Sequence, residues 1–178
     1  MRVLVAGIGN VFMGDDGFGC EVVRRLSERS LPQSVEAIDF GTGGTDLGFA
    51  LTEGYDAAIL VDTVARGGAP GTVYVIDPER KAVAAPEFAP HEMDPAKVLR
   101  FATVLGALPK QLRLVACEPA FLGGEDGHLG LSDAAAQAVD KAIVEIELLL
   151  NEWCSAAGHD GARPATHRSD CVAGEIYE

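Results

Sequence analysis

A three-layer α/β/α sandwich built on a mixed five-stranded sheet, with its fourth strand antiparallel, is the fold class this sequence predicts. Three observations carry that expectation. Apolar runs too continuous for a half-exposed strand alternate with amphipathic helical stretches. Glycine-rich loops follow the carboxyl ends of those runs. The connection between the third and fourth runs is too short to hold a crossover helix.

Arg2 to Gly7 is a β-branched and aliphatic run that ends in glycine and reads as a buried first strand. From Gly17 onward Phe18, Val22, Val23 and Leu26 repeat at helical spacing, with Glu21, Arg24, Arg25 and Glu28 left for the outer face. This helix is expected to run to about Ser30, ahead of Pro32. Val35 to Asp39 reads as the second strand, and the loop Phe40 to Thr45 leads into a short helix around Leu47 to Leu51. Ala57 to Val61 is apolar on both faces, as a central parallel strand requires, and Asp62 stands at its carboxyl end.

Arg66-Gly67-Gly68-Ala69-Pro70-Gly71 then leaves no room for a helical crossover, so the strand Thr72 to Ile76 must run antiparallel. A Pro- and Ala-containing loop reaches Pro90-His91, and Asp94-Pro95 is a cap followed by a first-turn proline. Val98, Phe101, Ala102 and Leu105 supply the apolar stripe of the helix that follows. Leu112 to Ala116 is the fifth strand, ending at Cys117-Glu118-Pro119. Ser132-Asp133 opens the longest helix, which keeps its spacing to Trp153. Residues 1–153 are therefore expected to form a single domain, and residues 154–178, small and polar, a disordered tail.

Composition narrows the function. The 178 residues suffice for one domain with a real core. Asp and Glu number 27 against 14 Lys and Arg, a net charge of −13 that repels polyphosphate, so nucleic acid is not an expected partner. No apolar stretch approaches the roughly 20 residues that span a bilayer, and the apolar start ends within a few residues at Gly and Asn. A cytoplasmic protein that does not enter the membrane is the expectation. Cys20, Cys117, Cys154 and Cys171 form no Cys-x-x-Cys pair and read as reduced thiols.

In folds of this class the site lies beyond the carboxyl ends of the parallel strands. Gly7-Ile8-Gly9 and Asp39 there invite a dinucleotide reading, but Phe12 replaces the third glycine of the fingerprint. Asp15 and Asp16 also stand where a pyrophosphate needs positive potential. The same acids suit a cation. Asp16, Asp62 and His91 offer two carboxylates and an imidazole, a partial set for nickel or zinc with positions left open. Taken singly, Asp16 caps a helix, Asp62 satisfies turn amides and His91 is solvated. No Gly-x-Ser-x-Gly elbow, His-Glu-x-x-His helix or local Cys–His pair is present.

Gly7-Ile8-Gly9-Asn10, Gly14-Asp15-Asp16-Gly17, Asp39 to Gly44, Val61-Asp62 and Pro90-His91 occur in one order over about Met1 to Trp153. In that order and spacing the chain resembles the endopeptidases that mature nickel-iron hydrogenases. The resemblance implies removal of a short C-terminal extension from the hydrogenase large-subunit precursor once nickel has entered it. It implies metal ligands at Asp16, Asp62 and His91, with Asp16 one methylene shorter than the Glu found in many members. It also implies a phosphorylase/hydrolase-like five-stranded mixed sheet, in agreement with the loop-length argument. On this reading the nickel is carried by the substrate and held only weakly by the free enzyme. On this view it is a recognition element as much as a Lewis-acid catalyst. Asp39 and its glycine loop then supply a general base and oxyanion donors, or else only a tight turn and a helix cap.

Overall fold

The computed structural model describes residues 1–78, 95–124 and 126–159, the last four by backbone alone. Its elements run β1 (Val3–Ile8), a 3₁₀ turn (Gly14–Gly17), α1 (Phe18–Ser27), β2 (Val35–Gly41), α2 (Gly44–Ala50), β3 (Ala57–Thr63), β4 (Val73–Ile76), α3 (Pro95–Leu105), β5 (Gln111–Cys117) and α4 (Asp133–His159). The five strands lie in the order β2-β1-β3-β5-β4. β1 pairs in parallel with β2 and β3, and β3 with β5, while β4 alone is antiparallel, against β5. The short glycine-rich connection after β3 thus carries β4 past a vacant slot, which β5 fills when the chain returns through α3.

The pleat sorts the core into two halves. Val3, Val5, Ile59 and Val61 face α1 and α4, and pack with Phe18, Leu26, Ile143, Ile146 and Trp153. Leu4, Ala6, Ile8, Ala58 and Leu60 face α2 and α3, and pack with Leu47, Leu51, Val98 and Leu99. Helices therefore cover both faces, as the double-sided apolar strands require. Close approach needs glycine at two places. A Cβ on Gly19 of α1 would lie 2.1 Å from the Val61 carbonyl oxygen and 2.4 Å from that of Ile8, so α1 rests directly on the ends of β1 and β3. A Cβ on Gly48 of α2 would lie 2.5 Å from the Phe101 ring, which packs on the helix backbone.

Two boundaries differ from expectation. The first helix stops at Ser27, short of Ser30, because the apolar stripe ends at Leu26. The last helix continues through Cys154 and Ser155 to His159, so the domain boundary expected at Trp153 is not a helix end. Extending an existing helix by residues such as Ala156 and Ala157 costs little once it is nucleated, even without an apolar stripe. Residues 160–178, most of the expected tail, lie outside the described residues, as does Asp94. Among the described residues no helix is long and apolar enough to cross a membrane.

Candidate active site

The 3₁₀ turn sits over the carboxyl end of β1 and against β3, and its two adjacent acids have separate duties. Asp15 is fully buried. Its Oδ2 accepts the Ala120 amide at 2.8 Å, the Phe121 amide at 3.1 Å and the Ser132 hydroxyl at 2.9 Å, while Oδ1 accepts the Ser132 amide at 2.6 Å. Burial pushes its pKa up, but the Ser132, Ala120 and Phe121 donors outweigh it and hold the carboxyl below its ordinary value. Asp15 is thus a tie between the turn and the loop ahead of α4. Sequence inspection missed this role, since the partners lie more than a hundred positions away.

Asp16 is half-buried. Its Oδ2 accepts the Asn10 amide at 2.8 Å, and its other oxygen accepts no hydrogen bond among the described residues. The turn is pressed onto the end of β1, because a Cβ on Gly9, whose φ is +130°, would lie 1.7 Å from the Asp16 carbonyl oxygen. No residue but glycine fits there. The same turn packs against β3, at whose end Asp62 is 4% exposed and its Oδ1 accepts the Thr63 amide at 2.7 Å. The Asp62 carboxylate is therefore largely buried at the end of β3. Its position follows Leu60 in the pleat and belongs to the α2/α3 side of the sheet.

Asp39 stands elsewhere. It is exposed near the end of β2, two residues after Ala37, which packs on the α1/α4 side. Its Oδ1 accepts the Gly41 amide at 2.8 Å, and it lines a cleft of about 450 Å³ together with Gly14, Gly17, Cys20 and Leu129. Cys20 of α1 is its neighbour. Burial, with the hydrogen bond to Asp39 and its charge, pushes the Cys20 thiol up to about 12. Burial likewise pushes Cys117 up to about 11. Both stay protonated near neutrality, as packing residues do and nucleophiles do not.

A second carboxylate went unnoticed in the sequence. Glu118, 5% exposed, closes the loop that follows β3. Its oxygens accept the Arg66 amide at 2.9 and 3.1 Å, the Gly67 amide at 3.0 Å and the Tyr74 hydroxyl at 2.9 Å. The Arg66 amide, then the Tyr74 hydroxyl and the Gly68 and Gly67 amides, outweigh desolvation and hold its pKa down. An acid directly after an apolar strand, with Gly67-Gly68 elsewhere to form an amide nest, was the available signal.

Of the three expected ligands, the structure places Asp16 on the turn over β1 and Asp62 at the end of β3, and His91 lies outside the described residues. Among the described residues no group of three His, Cys, Asp or Glu side chains forms a metal cluster. His128 is engaged in structure, its amide donating to the Phe12 carbonyl at 2.7 Å and its ring meeting Phe121 edge-on.

Comparison with known proteins identifies the family. Residues 20–148 match the family model described as HycI, hydrogenase maturation protease. The chain is 34% identical to the hydrogenase expression/formation protein HupD of Rhodobacter capsulatus, over 99% of this chain and 84% of the relative. It is 33% identical to the hydrogenase 2 maturation protease of Escherichia coli K12, over 85% of this chain and 92% of that protein. The solved structure of the hydrogenase-maturating endopeptidase HybD of Escherichia coli superposes with a TM-score of 0.71 at 32% identity, covering 85% of this chain and 93% of that one. With the family model matched over residues 20–148, a relative matched over 99% of the chain and a matched fold, the chain belongs to the hydrogenase maturation protease family, whose members are peptide-bond hydrolases.

Proposed function

We propose that this endopeptidase works in the cytoplasm on the nickel-iron hydrogenase large-subunit precursor, removing its C-terminal extension after nickel insertion. Asp16, Asp62 and His91 grip the nickel that the precursor carries. The observation that supports this reading is the pair of carboxylates on the turn over β1 and at the end of β3, Asp62 buried and Asp16 with one oxygen held by the Asn10 amide and the other accepting no hydrogen bond among the described residues. A carboxylate fixed in that way is oriented before its partner arrives, which lowers the ordering cost of binding.

Two carboxylates and an imidazole leave an ion with open positions. A precursor that presents its own nickel fills them, and a nickel-free precursor forfeits that binding energy, so the ion acts as a proofreading signal. Once gripped, the ion fixes the adjacent bond and polarises its carbonyl as a Lewis acid. The test is to incubate the enzyme with nickel-loaded and nickel-free precursor and to measure intact mass. Truncation of the loaded precursor alone is expected. Equal cleavage of a verified nickel-free precursor would sink nickel recognition, and cleavage of neither would sink the assignment of substrate.

A further inference from the structure

Five large apolar side chains stand exposed around the turn that carries Asp16. Val11, Phe12, Phe121, Leu122 and Leu129 are 42%, 65%, 45%, 45% and 73% exposed. Apolar residues scattered singly over a surface need no explanation, but a contiguous group does. Backbone bonds make these contiguous. The His128 amide donates to the Phe12 carbonyl and the Gly14 amide to the His128 carbonyl, both at 2.7 Å, and the Asp15 amide donates to the Phe121 carbonyl at 2.9 Å. The Asp15 carboxylate gathers the same loops from below through its four hydrogen bonds. The patch is therefore held outward by a buried polar frame, when a floppy loop would fold its phenylalanines inward.

The patch borders the cleft of about 450 Å³, whose lining includes Val11, Leu129 and the two glycines that flank the Asp15-Asp16 pair. Arg24 and Arg25 on the cleft wall are both paired with Glu21. Among the residues that line the cleft, Arg24 and Arg25 match Glu21 and Asp39 in number. Another protein finds mainly apolar contact at the patch beside it.

We propose that the Val11, Phe12, Phe121, Leu122 and Leu129 patch is the docking surface for the folded large-subunit precursor, seating an apolar face of it beside Asp16. The proposal rests on the substrate reading above. Its occupant follows from continuity with the Asp16 site, since Val11 and Phe12 continue directly from Asn10, whose amide holds the Asp16 carboxylate, and the adjacent Asp15 amide joins the Phe121 carbonyl.

The test measures binding separately from cleavage. Phe12→Ser and Leu129→Ser, singly and together, are compared with wild type for precursor affinity by biolayer interferometry and for kcat and KM by intact mass, with Phe12→Ala as the milder variant. The expected result is a loss of affinity and a rise in KM of about tenfold or more for the double variant, in the range of hot-spot truncation. Expected alongside it are an unchanged kcat at saturating precursor and little dependence on salt. Val104→Ser and Leu148→Ser, at exposed apolar positions of α3 and α4, should change neither. Wild-type affinity and KM in the double variant overturn the docking surface, even while Asp16→Ala abolishes cleavage and so preserves the substrate reading. A wild-type dimer in sedimentation that the double variant converts to monomer, without loss of precursor affinity, assigns the patch to a second copy and overturns it equally. Failure of wild type to bind either precursor defeats both readings together.

Discussion

Replacing Asp15 with Asn should destabilise the protein by about 3 kcal/mol, a figure assembled from its four donors. With the amide oxygen in the Oδ2 seat, the Ala120, Phe121 and Ser132 hydroxyl bonds survive, but the NH₂ group faces the Ser132 amide, which Oδ1 had accepted at 2.6 Å. A buried donor left unmet costs about 1–3 kcal/mol, and each surviving bond weakens once its acceptor is neutral. The opposite amide orientation turns the NH₂ group toward the Ala120 and Phe121 amides, leaving two donors unmet instead of one, and is worse. For a domain of this size about 2–4 °C of melting temperature accompanies each kcal/mol, so a fall of roughly 6–12 °C is expected by calorimetry.

The pH dependence provides the sharper check. The folded pKa of Asp15 is lowered from 3.8, so its stabilisation is fully present above that value and lost as pH falls through the folded pKa. The difference between wild type and Asp15→Asn should therefore be constant from neutrality to about pH 4 and shrink below it. A loss under about 1 kcal/mol, or a gap that persists unchanged at strong acid, would refute the role assigned to this carboxylate.

Two further predictions concern the site. Asp16→Ala should abolish processing with little change in melting temperature, since among the described residues its side chain accepts one hydrogen bond, from the Asn10 amide. Asp62→Ala, at a position 4% exposed, should also cost stability, so Asp62→Asn with matched unfolding curves is the cleaner test; normal processing by both Asp16→Ala and Asp62→Asn would exclude the metal grip. Iodoacetamide at mildly alkaline pH should modify exposed Cys154 in the native protein and spare Cys20 and Cys117, whose thiols are pushed up to about 12 and about 11; rapid labelling of Cys20, read by peptide mass, would contradict its assignment to packing.

Much of the fold was legible because its signals are local. Ala57 to Val61 has no polar face, so it had to be central, and it is flanked by β1 and β5. Nine residues between Thr63 and Val73, rich in glycine, excluded a parallel neighbour, and β4 is antiparallel. The site was legible only in part. Gly14-Asp15-Asp16-Gly17 marks a turn bearing two acids, but which of them turns inward depends on Ala120, Phe121 and Ser132, which no local pattern foretells. Glu118 escaped notice for the same reason, its amide nest lying some fifty residues earlier in the chain. The end of α4 was misjudged because periodicity reports the buried stripe, whereas a helix continues wherever propensity allows.

Strand parity also bears on how the three aspartates divide their work. Asp39 and Asp62 both stand near carboxyl ends of parallel strands, yet the pleat assigns them to opposite sides of the sheet, with Ala37 on the α1/α4 side and Leu60 on the other. A simple cluster of all three beyond the sheet edge is therefore not the geometry. The 3₁₀ turn is the common element. It lies over Gly9 at the end of β1, packs against β3, and lends Gly14 and Gly17 to the cleft that Asp39 lines. The Cys20 thiol, beside Asp39, is raised by the charge of Asp16 as well. Asp16, carried by that turn, therefore stands between the side of the sheet that holds Asp62 and the cleft that Asp39 lines.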